Sequence, residues 1–244
     1  DFTQNIGKST GGFCTSPYGT HPYILMSWAN QLSDVYTLIH ELGHAGQMIL
    51  SNENNSILGS EPSLYLIEGP STFNELLLTE SLARKSTDAR MQRFALTKML
   101  SDTYFHNFVT HLLEAAYQRE VYDAGKLSEI KRSVLERFWG DAVEINAGAE
   151  LTWMRQIHYY MGLYSYTYSA GLTIATQAFQ RVKAEEEGAV ADWLEFLALG
   201  DKLEAAEAAA LAGVDIKTDQ ALQDTIHYLD EAVDHIITLS KELA

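Results

Sequence analysis

Two histidines four residues apart, with a glutamate directly after the first, define the segment His40-Glu41-Leu42-Gly43-His44. On an α-helix, residues four apart lie on one face, so both imidazoles can bind one zinc ion while Glu41 points toward the metal's open position. The same pattern is the signature of metalloproteases in which the glutamate is the general base. We therefore predict metal-assisted hydrolysis, with His40 and His44 as metal ligands and Glu41 as the base. The alternative is an ordinary amphipathic helix with two surface histidines.

A third ligand is expected further along the chain, because a hydrolytic zinc usually takes three protein ligands and leaves the fourth position to water. The nearby carboxylates are Glu53, Glu61, Glu68 and Glu75. The first two lie in a stretch rich in Asn, Ser, Gly and Pro, where a ligand would be poorly held. The other two are seven residues apart, in or beside an apolar-periodic stretch over 64–82, and hence share a helical face. Glu68 is the predicted ligand, and Glu75 is predicted to orient an imidazole. The alternative is that both are solvated helix glutamates.

The elements that must position these residues can be predicted from the same stretch of sequence. Apolar residues recur at helical spacing around the motif and predict one helix over 32–50, with Ser33-Asp34 at its start and a polar stop over 51–55. Pro70 disfavours a helical conformation at the residue before it and lacks an N–H, so it predicts a kink or a helix start near Glu68.

These motifs resemble the oligoendopeptidase F branch of the thimet oligopeptidase (M3) family of zinc metallopeptidases. The resemblance rests on the residues from His40 to Gln47, on Ile67-Glu68-Gly69-Pro70-Ser71, and on the preceding Tyr18-Gly19-Thr20-His21-Pro22-Tyr23-Ile24-Leu25. It implies one zinc ion per chain, bound by His40, His44 and Glu68, with Glu41 as the base. It also implies the zincin-type helical catalytic domain of that family.

A second cluster, from His158 to Gly171, contains one histidine and five of the thirteen tyrosines of the chain. A phenol or a neutral imidazole aimed at a scissile carbonyl can stabilise the oxyanion that develops during hydrolysis. The alternative is an aromatic core patch, in which such side chains also pack well. The family resemblance implies that a histidine and a tyrosine-rich run close over the substrate near the zinc, a role that falls on His158, Tyr164, Tyr166 and Tyr168. The sequence leaves open which tyrosine contacts the oxyanion.

Residues 11–28 predict glycine-rich turns that lead into a short strand, and Pro22 marks the start or an edge position of that strand. An edge strand beside a zinc site offers free backbone groups with which an extended peptide can pair. The alternative is a purely structural hairpin. Cys14 is the only cysteine, so an intrachain disulfide is excluded and a free thiol is expected.

The rest of the chain is mostly helical in pattern. Helices are predicted near 89–123, 127–138, 141–161, 170–187, 189–199, 202–212 and 219–242. The predicted fold class is therefore mainly α, with a small β element near residues 10–28. We expect one catalytic domain over 1–244, which is long enough to bury a sizeable core.

Composition narrows the classes of partner. A formal net charge of −16 argues against binding to a nucleic-acid backbone, which needs clustered Lys and Arg. The apolar runs are too short to span a bilayer and no basic-then-apolar leader opens the chain, so neither membrane insertion nor secretion is expected. The predicted location is cytoplasmic.

The function that these patterns favour is a zinc-dependent endopeptidase acting on internal bonds of short peptides. Family members are much longer, so the resemblance covers their catalytic, C-terminal portion only. An N-terminal half or a partner chain is therefore expected to close the substrate channel. Two other functions stay open: a zinc carboxypeptidase of similar helical fold, and a non-catalytic, zinc-stabilised fragment.

Overall fold

The computed structural model describes residues 1–8 and 11–244, and most of them lie in helices. The small β element is an antiparallel pair, β1 (Gly12–Thr15) and β2 (Tyr23–Met26), with Phe13 opposite Leu25. The prediction of a mainly α fold with a β element near residues 10–28 is confirmed, although Thr10 lies outside the described residues.

The helix that carries the motif, α1, spans Leu32–Asn54 and places His40 to His44 near its middle. Asp34 holds its start, because the carboxylate accepts backbone N–H bonds from Ala29 (2.7 Å) and Gln31 (2.9 Å). The helix runs four residues further than the predicted 32–50, since the polar residues after Leu50 continue it instead of stopping it.

The next helix, α2 (Gly69–Lys85), begins directly after Glu68, with Pro70 in its first turn. Proline is well tolerated there, because the first helical N–H groups have no partner within the helix. The hydroxyls of Ser71 and Thr72 donate to the Glu68 carbonyl at 3.0 and 2.6 Å. The predicted helix start near Glu68 is confirmed, and these bonds tie the residue to a rigid turn.

A continuous helical rod follows, in agreement with the prediction over 89–123. It consists of α3 (Ala89–Lys98), a π-helical segment (Met99–Thr110) and α4 (His111–Ala124), and α5 (Leu127–Trp139) follows it. A π-helix is wider than an α-helix and is frequent at functional sites. In this chain the π-helical segment packs against both α2 and a later helix, Tyr166–Lys183, which carries two of the clustered tyrosines.

The prediction of a helix over 141–161 is wrong. The segment consists of turns and two short 3₁₀ helices, Ala149–Met154 and Ile157–Tyr160. Gly140 and Gly148 adopt φ values of +49° and +92°, which a helix does not allow. The first glycine ends α5, and the second interrupts the apolar pattern from which a helix was predicted.

Four further helices complete the described residues: α6 (Tyr166–Lys183), α7 (Ala189–Ala198), α8 (Ala205–Leu211) and α9 (Gln220–Glu242). The main core lies where α2, α6 and α7 meet. There Phe73 stacks on Trp193 at 4.3 Å, and Leu76 and Leu172 have no exposed surface. Burial of such side chains stabilises by about 1.5–3 kcal/mol each, so α2 and α6 are held firmly together.

Within residues 1–8 and 11–244, no helix combines the length and the apolar character that crossing a bilayer requires.

Candidate metal centre and catalytic cleft

The three predicted metal ligands converge on one point. The Nε2 atoms of His40 and His44 lie 3.3 and 3.4 Å from the same oxygen of Glu68, Oε2. Tetrahedral zinc with bonds of about 2.1 Å separates its ligand atoms by about 3.4 Å, so both histidine-to-glutamate distances match those expected around the ion. Two imidazoles and a carboxylate are also a donor set that zinc accepts. The residues present therefore fit a zinc ion.

The imidazole of His40 is oriented by Glu75. Its Nδ1 lies 2.7 Å from Glu75 Oε1, and the other oxygen of that carboxylate accepts a hydrogen bond from the hydroxyl of Thr103 in the π-helical segment. A carboxylate on Nδ1 places the proton there and leaves Nε2 free as a ligand atom. The geometry matches the role that the seven-residue spacing predicted for Glu75.

The electrostatics of the cluster follow from its burial. Glu68 is 1% exposed, and although burial acts to raise its pKa, the adjacent imidazoles of His40 and His44 hold that pKa well below its usual value. The carboxylate thus stays ionised. Tyr164 on the chain before α6 adds a hydrogen bond to the other oxygen, Glu68 Oε1, at 2.7 Å.

Two glycines allow the backbone around Glu68 to approach its neighbours. A Cβ atom added to Gly43 of α1 would lie 2.6 Å from the carbonyl carbon of Pro70, and one added to Gly171 of α6 would lie 2.6 Å from the carbonyl carbon of Glu68. Real Cβ contacts are not this short. The start of α2 is therefore held between α1 and α6 at a separation that only glycine permits at these two positions.

We expect Gly43→Ala to lower the free energy of unfolding by about 3 kcal/mol, at the upper end of overpacking effects, because backbone atoms must move to admit the methyl group. The same movement separates Glu68 from the two histidines, so zinc affinity is expected to fall as well. Denaturant unfolding and zinc titration measure the two effects.

Gly46→Ala is the matched control, since Gly46 lies on the same helix and an added Cβ has nothing within 4 Å. It is expected to leave zinc affinity unchanged and to stabilise the helix by at most about 1 kcal/mol. Equal effects of the two substitutions would refute the close-approach argument.

The side chain of Glu41 lies beside the metal-ligand cluster. It is 5% exposed, and burial raises its pKa, as do the nearby carboxylates, whereas His40 and His44 act to lower it. A cleft of about 540 Å³ opens here, and its lining includes His40, Glu41 and Tyr168. The base predicted from the sequence, Glu41, therefore shares one cavity with a predicted metal ligand, His40, and with one of the tyrosines, Tyr168.

The strand beside this cleft is β1. A Cβ atom added to Gly12 would lie 3.0 Å from Glu41 Oε1. The outer edge of β2 is covered, because Met26 N–H donates to the Asp1 carbonyl at 3.0 Å and the backbone nitrogen of Asp1 donates to the Ile24 carbonyl at 2.6 Å. The described residues place no strand on the outer edge of β1. The edge next to the site thus belongs to β1 and not to the strand that follows Pro22.

The histidine and tyrosines of the second cluster are divided between two faces. The ring of His158 lies 5.5 Å from that of Tyr164 and 5.6 Å from that of Tyr168. Tyr166, by contrast, packs its ring on Tyr65 at 5.6 Å. The structure therefore brings three of the four predicted residues toward Glu68 and directs Tyr166 elsewhere.

Comparison with known proteins identifies the family to which the chain belongs. The sequence profile of peptidase family M3 matches residues 1–228. The chain belongs to this family. Oligopeptidase PepF of Bacillus subtilis is 27% identical over 244 residues, which cover 97% of this chain and 36% of that protein. Plasmid oligoendopeptidase F of Lactococcus lactis subsp. cremoris is 30% identical over 231 residues, which cover 91% of this chain and 38% of that protein.

The fold of the chain is similar to that of a solved structure. The crystal structure of oligoendopeptidase-F from Enterococcus faecium has a TM-score of 0.71 at 23% identity and covers 86% of this chain and 40% of that chain. This likeness shows a shared fold. The predicted resemblance to the oligoendopeptidase F branch is confirmed, and the chain spans less than half the length of these relatives.

The sequence did not predict two groups of residues at or beside this candidate site. Thr103, which holds Glu75, lies 28 residues from it in the chain, and no local pattern predicts the contact. His111 and Glu114 form a buried pair, with Nδ1 of the imidazole 2.8 Å from Glu114 Oε2. Their i, i+3 spacing on a predicted helix was the available signal for the pair.

We assign Cys14 no role in the candidate site. Its Sγ lies 3.9 Å from the sulfur of Met48, and burial, followed by the charge of Glu41, raises the pKa of the thiol to about 11. A thiol that stays protonated is a poor metal ligand and a poor nucleophile.

Proposed function

We propose that residues 1–244 form a zinc-dependent endopeptidase domain that hydrolyses internal bonds of short oligopeptides. The observation that carries the proposal is the convergence of the two motif Nε2 atoms, of His40 and His44, on one oxygen of Glu68 at 3.3 and 3.4 Å. Membership of a family of peptidases supports the same reaction.

In this proposal His40, His44 and Glu68 hold one zinc ion, which when bound supplies a Lewis acid that polarises the scissile carbonyl and acidifies water. Glu41 accepts the proton of the attacking water and delivers it to the leaving amine nitrogen. Glu75 keeps the His40 ring in the tautomer and orientation that binding needs.

We assign stabilisation of the oxyanion to two hydrogen-bond donors, Tyr168 and His158. Tyr168 lines the cleft together with His40 and Glu41, and burial raises the pKa of its phenol, so the hydroxyl remains a proton donor. His158 stands next to it and is the second candidate donor. Tyr164 already donates to Glu68, and we assign it the role of orienting that ligand.

The peptide is proposed to lie along the outer edge of β1, which borders the cleft at Gly11 and Gly12. Backbone hydrogen bonds to an edge strand hold an extended peptide without demanding particular side chains. Because the chain spans 36% and 38% of the two relatives' lengths, we propose that the opposite wall of a substrate channel comes from an N-terminal half or a partner chain.

The test is hydrolysis of a short, internally quenched peptide by the purified chain, with and without zinc. We expect cleavage that a chelator abolishes and added zinc restores, and mass spectrometry should show both fragments of one internal bond. Stepwise loss of C-terminal residues would instead indicate a carboxypeptidase. Stoichiometric zinc without any cleavage would indicate a non-catalytic, zinc-stabilised fragment.

A further inference from the structure

A second cavity, of about 360 Å³, lies between the π-helical segment, α4, α5 and the turns that follow α5. We call it the α5 cavity. Among the described residues, none lines both this cavity and the catalytic cleft. Its volume is near the lower end of the range for small-molecule sites, so it has room for one small ligand.

Much of the lining of the α5 cavity is apolar. It includes Phe105, Val109, Leu113, Leu135 and Trp139. The rings of Phe105 and Trp139 lie 6.1 Å apart, so both faces of a flat ligand group could find an aromatic neighbour here. Such a lining favours a ligand with an aromatic or branched hydrocarbon group.

The lining also contains a buried cation, Lys131 of α5. The residue is 6% exposed, and its Nζ donates to the hydroxyl of Tyr159 at 2.7 Å. An ammonium has three N–H donors, and within residues 1–8 and 11–244 no carboxylate oxygen lies within 4.0 Å of this Nζ. The rings of Tyr117 and Tyr159, each centred 5.2 Å from Nζ, offset part of the cost of burying the charge. The ammonium can therefore still donate to an anion in the cavity.

A second cation, Arg155, lines the same cavity. Its guanidinium makes no ion pair or hydrogen bond with any described residue, although the chain has 33 acidic residues against 17 basic ones. One carboxylate, Glu114, also lines the cavity and opposes an anion. Its Oε2 already accepts a hydrogen bond from Ser165 at 3.1 Å and lies 2.8 Å from Nδ1 of His111. With two cations and one anion, the lining is positive.

We propose that the α5 cavity binds a small organic carboxylate that carries an apolar group. Lys131 and Arg155 bind the carboxylate, and the apolar lining surrounds the group. A guanidinium presents parallel N–H donors that match the two oxygens of a carboxylate, and a low local dielectric strengthens such bonds. The C-terminal residue of a peptide and a free aromatic acid both have this chemistry. The inference depends neither on the proposed zinc centre nor on peptidase activity.

The test is isothermal titration calorimetry of the purified chain with N-acetyl-phenylalanine. A chelator is present, because the carboxylate of the probe can also bind zinc. We expect saturable binding of one molecule per chain. N-acetyl-phenylalanine amide keeps the apolar group and lacks the charge, so it should bind at least about 10-fold more weakly. Phenylpropanoate, which lacks the peptide-like amide, distinguishes the two sources: equal affinity indicates a free acid, and weaker binding indicates a peptide end.

Lys131→Met should weaken binding of N-acetyl-phenylalanine by about 10–100-fold, because methionine fills similar space without a charge-assisted hydrogen bond. Arg155→Gln should weaken it by a smaller factor, since Arg155 is exposed and solvent screens its charge. Lys126→Met is the matched control. Lys126 is exposed, pairs with Glu129 at 3.1 Å and does not line the cavity, so its loss should leave the affinity unchanged.

If Lys131→Met fails to fold, Arg155→Gln and the comparison of acid with amide still test the site. Equal affinity for acid and amide, absence of saturable binding, or wild-type affinity in both lining variants would overturn the proposal. Binding that appears only when the chelator is omitted would place the probe at the metal centre and would overturn it as well.

Discussion

Glu41→Gln is expected to reduce kcat for peptide cleavage by about 10³-fold while one zinc ion per chain stays bound. The amide has the shape of the carboxylate but cannot accept the proton of the attacking water, and loss of a general base costs about 10²–10⁴-fold. Glu41 is not among the converging ligand atoms, so the metal count should not change. Steady-state kinetics and elemental analysis of the same sample measure both quantities.

Glu53→Gln provides the matched comparison, because Glu53 is an exposed glutamate on the same helix and its replacement removes the same charge. It should leave kcat and zinc content at wild-type values. Turnover by Glu41→Gln within a few-fold of the wild type would remove Glu41 from the reaction, and loss of zinc would make it a ligand.

Glu68→Gln is expected to release zinc and to abolish cleavage. The Oε2 atom of Glu68 is the one that both histidines approach, and the residue is 1% exposed, so water cannot take its place easily. The amide removes the only negative charge among the three converging ligands. Zinc titration of the metal-free protein gives the change in Kd, which should exceed the 10–100-fold typical of residues that merely orient a ligand.

Two further variants provide comparisons for the effect of Glu68→Gln on zinc binding. Glu75→Gln should weaken zinc binding by about 10–100-fold, because Glu75 acts through His40 and does not itself face the ion. Glu61→Gln changes an exposed carboxylate close to the motif in the chain and should have no effect. A larger loss for Glu75 than for Glu68 would exchange their assigned roles, and a loss for Glu61 would move the third ligand there.

The sequence by itself was sufficient to predict which three side chains converge at the candidate metal centre. Spacing of four residues places His40 and His44 on one helical face wherever that helix lies, because helical geometry is local. The seven residues between Glu68 and Glu75 are also nearly two turns, so that one histidine can meet both carboxylates. Pro70 then placed the helix start, because its ring is compatible only with the first turn.

The sequence was not sufficient for the segments whose conformation depends on single glycines. An apolar pattern over 141–161 predicted a helix, but positive φ at Gly148 interrupts it. The side of the hairpin that borders the cleft was also undetermined, because it depends on Asp1, which bonds to the outer edge of β2, whereas the described residues pair no strand with the outer edge of β1.

Tertiary packing decided the rest of the site. Tyr166 and Tyr168 are two positions apart on α6 and therefore point to opposite faces of that helix. How α6 packs decides that Tyr168 faces the cleft and Tyr166 faces Tyr65. Tyr164, which precedes α6, donates to Glu68. Thr103 reaches Glu75 only because the π-helical segment lies against α2. Such contacts join residues distant in the chain, and their geometry depends on how whole helices pack. Local periodicity carries no information about that packing.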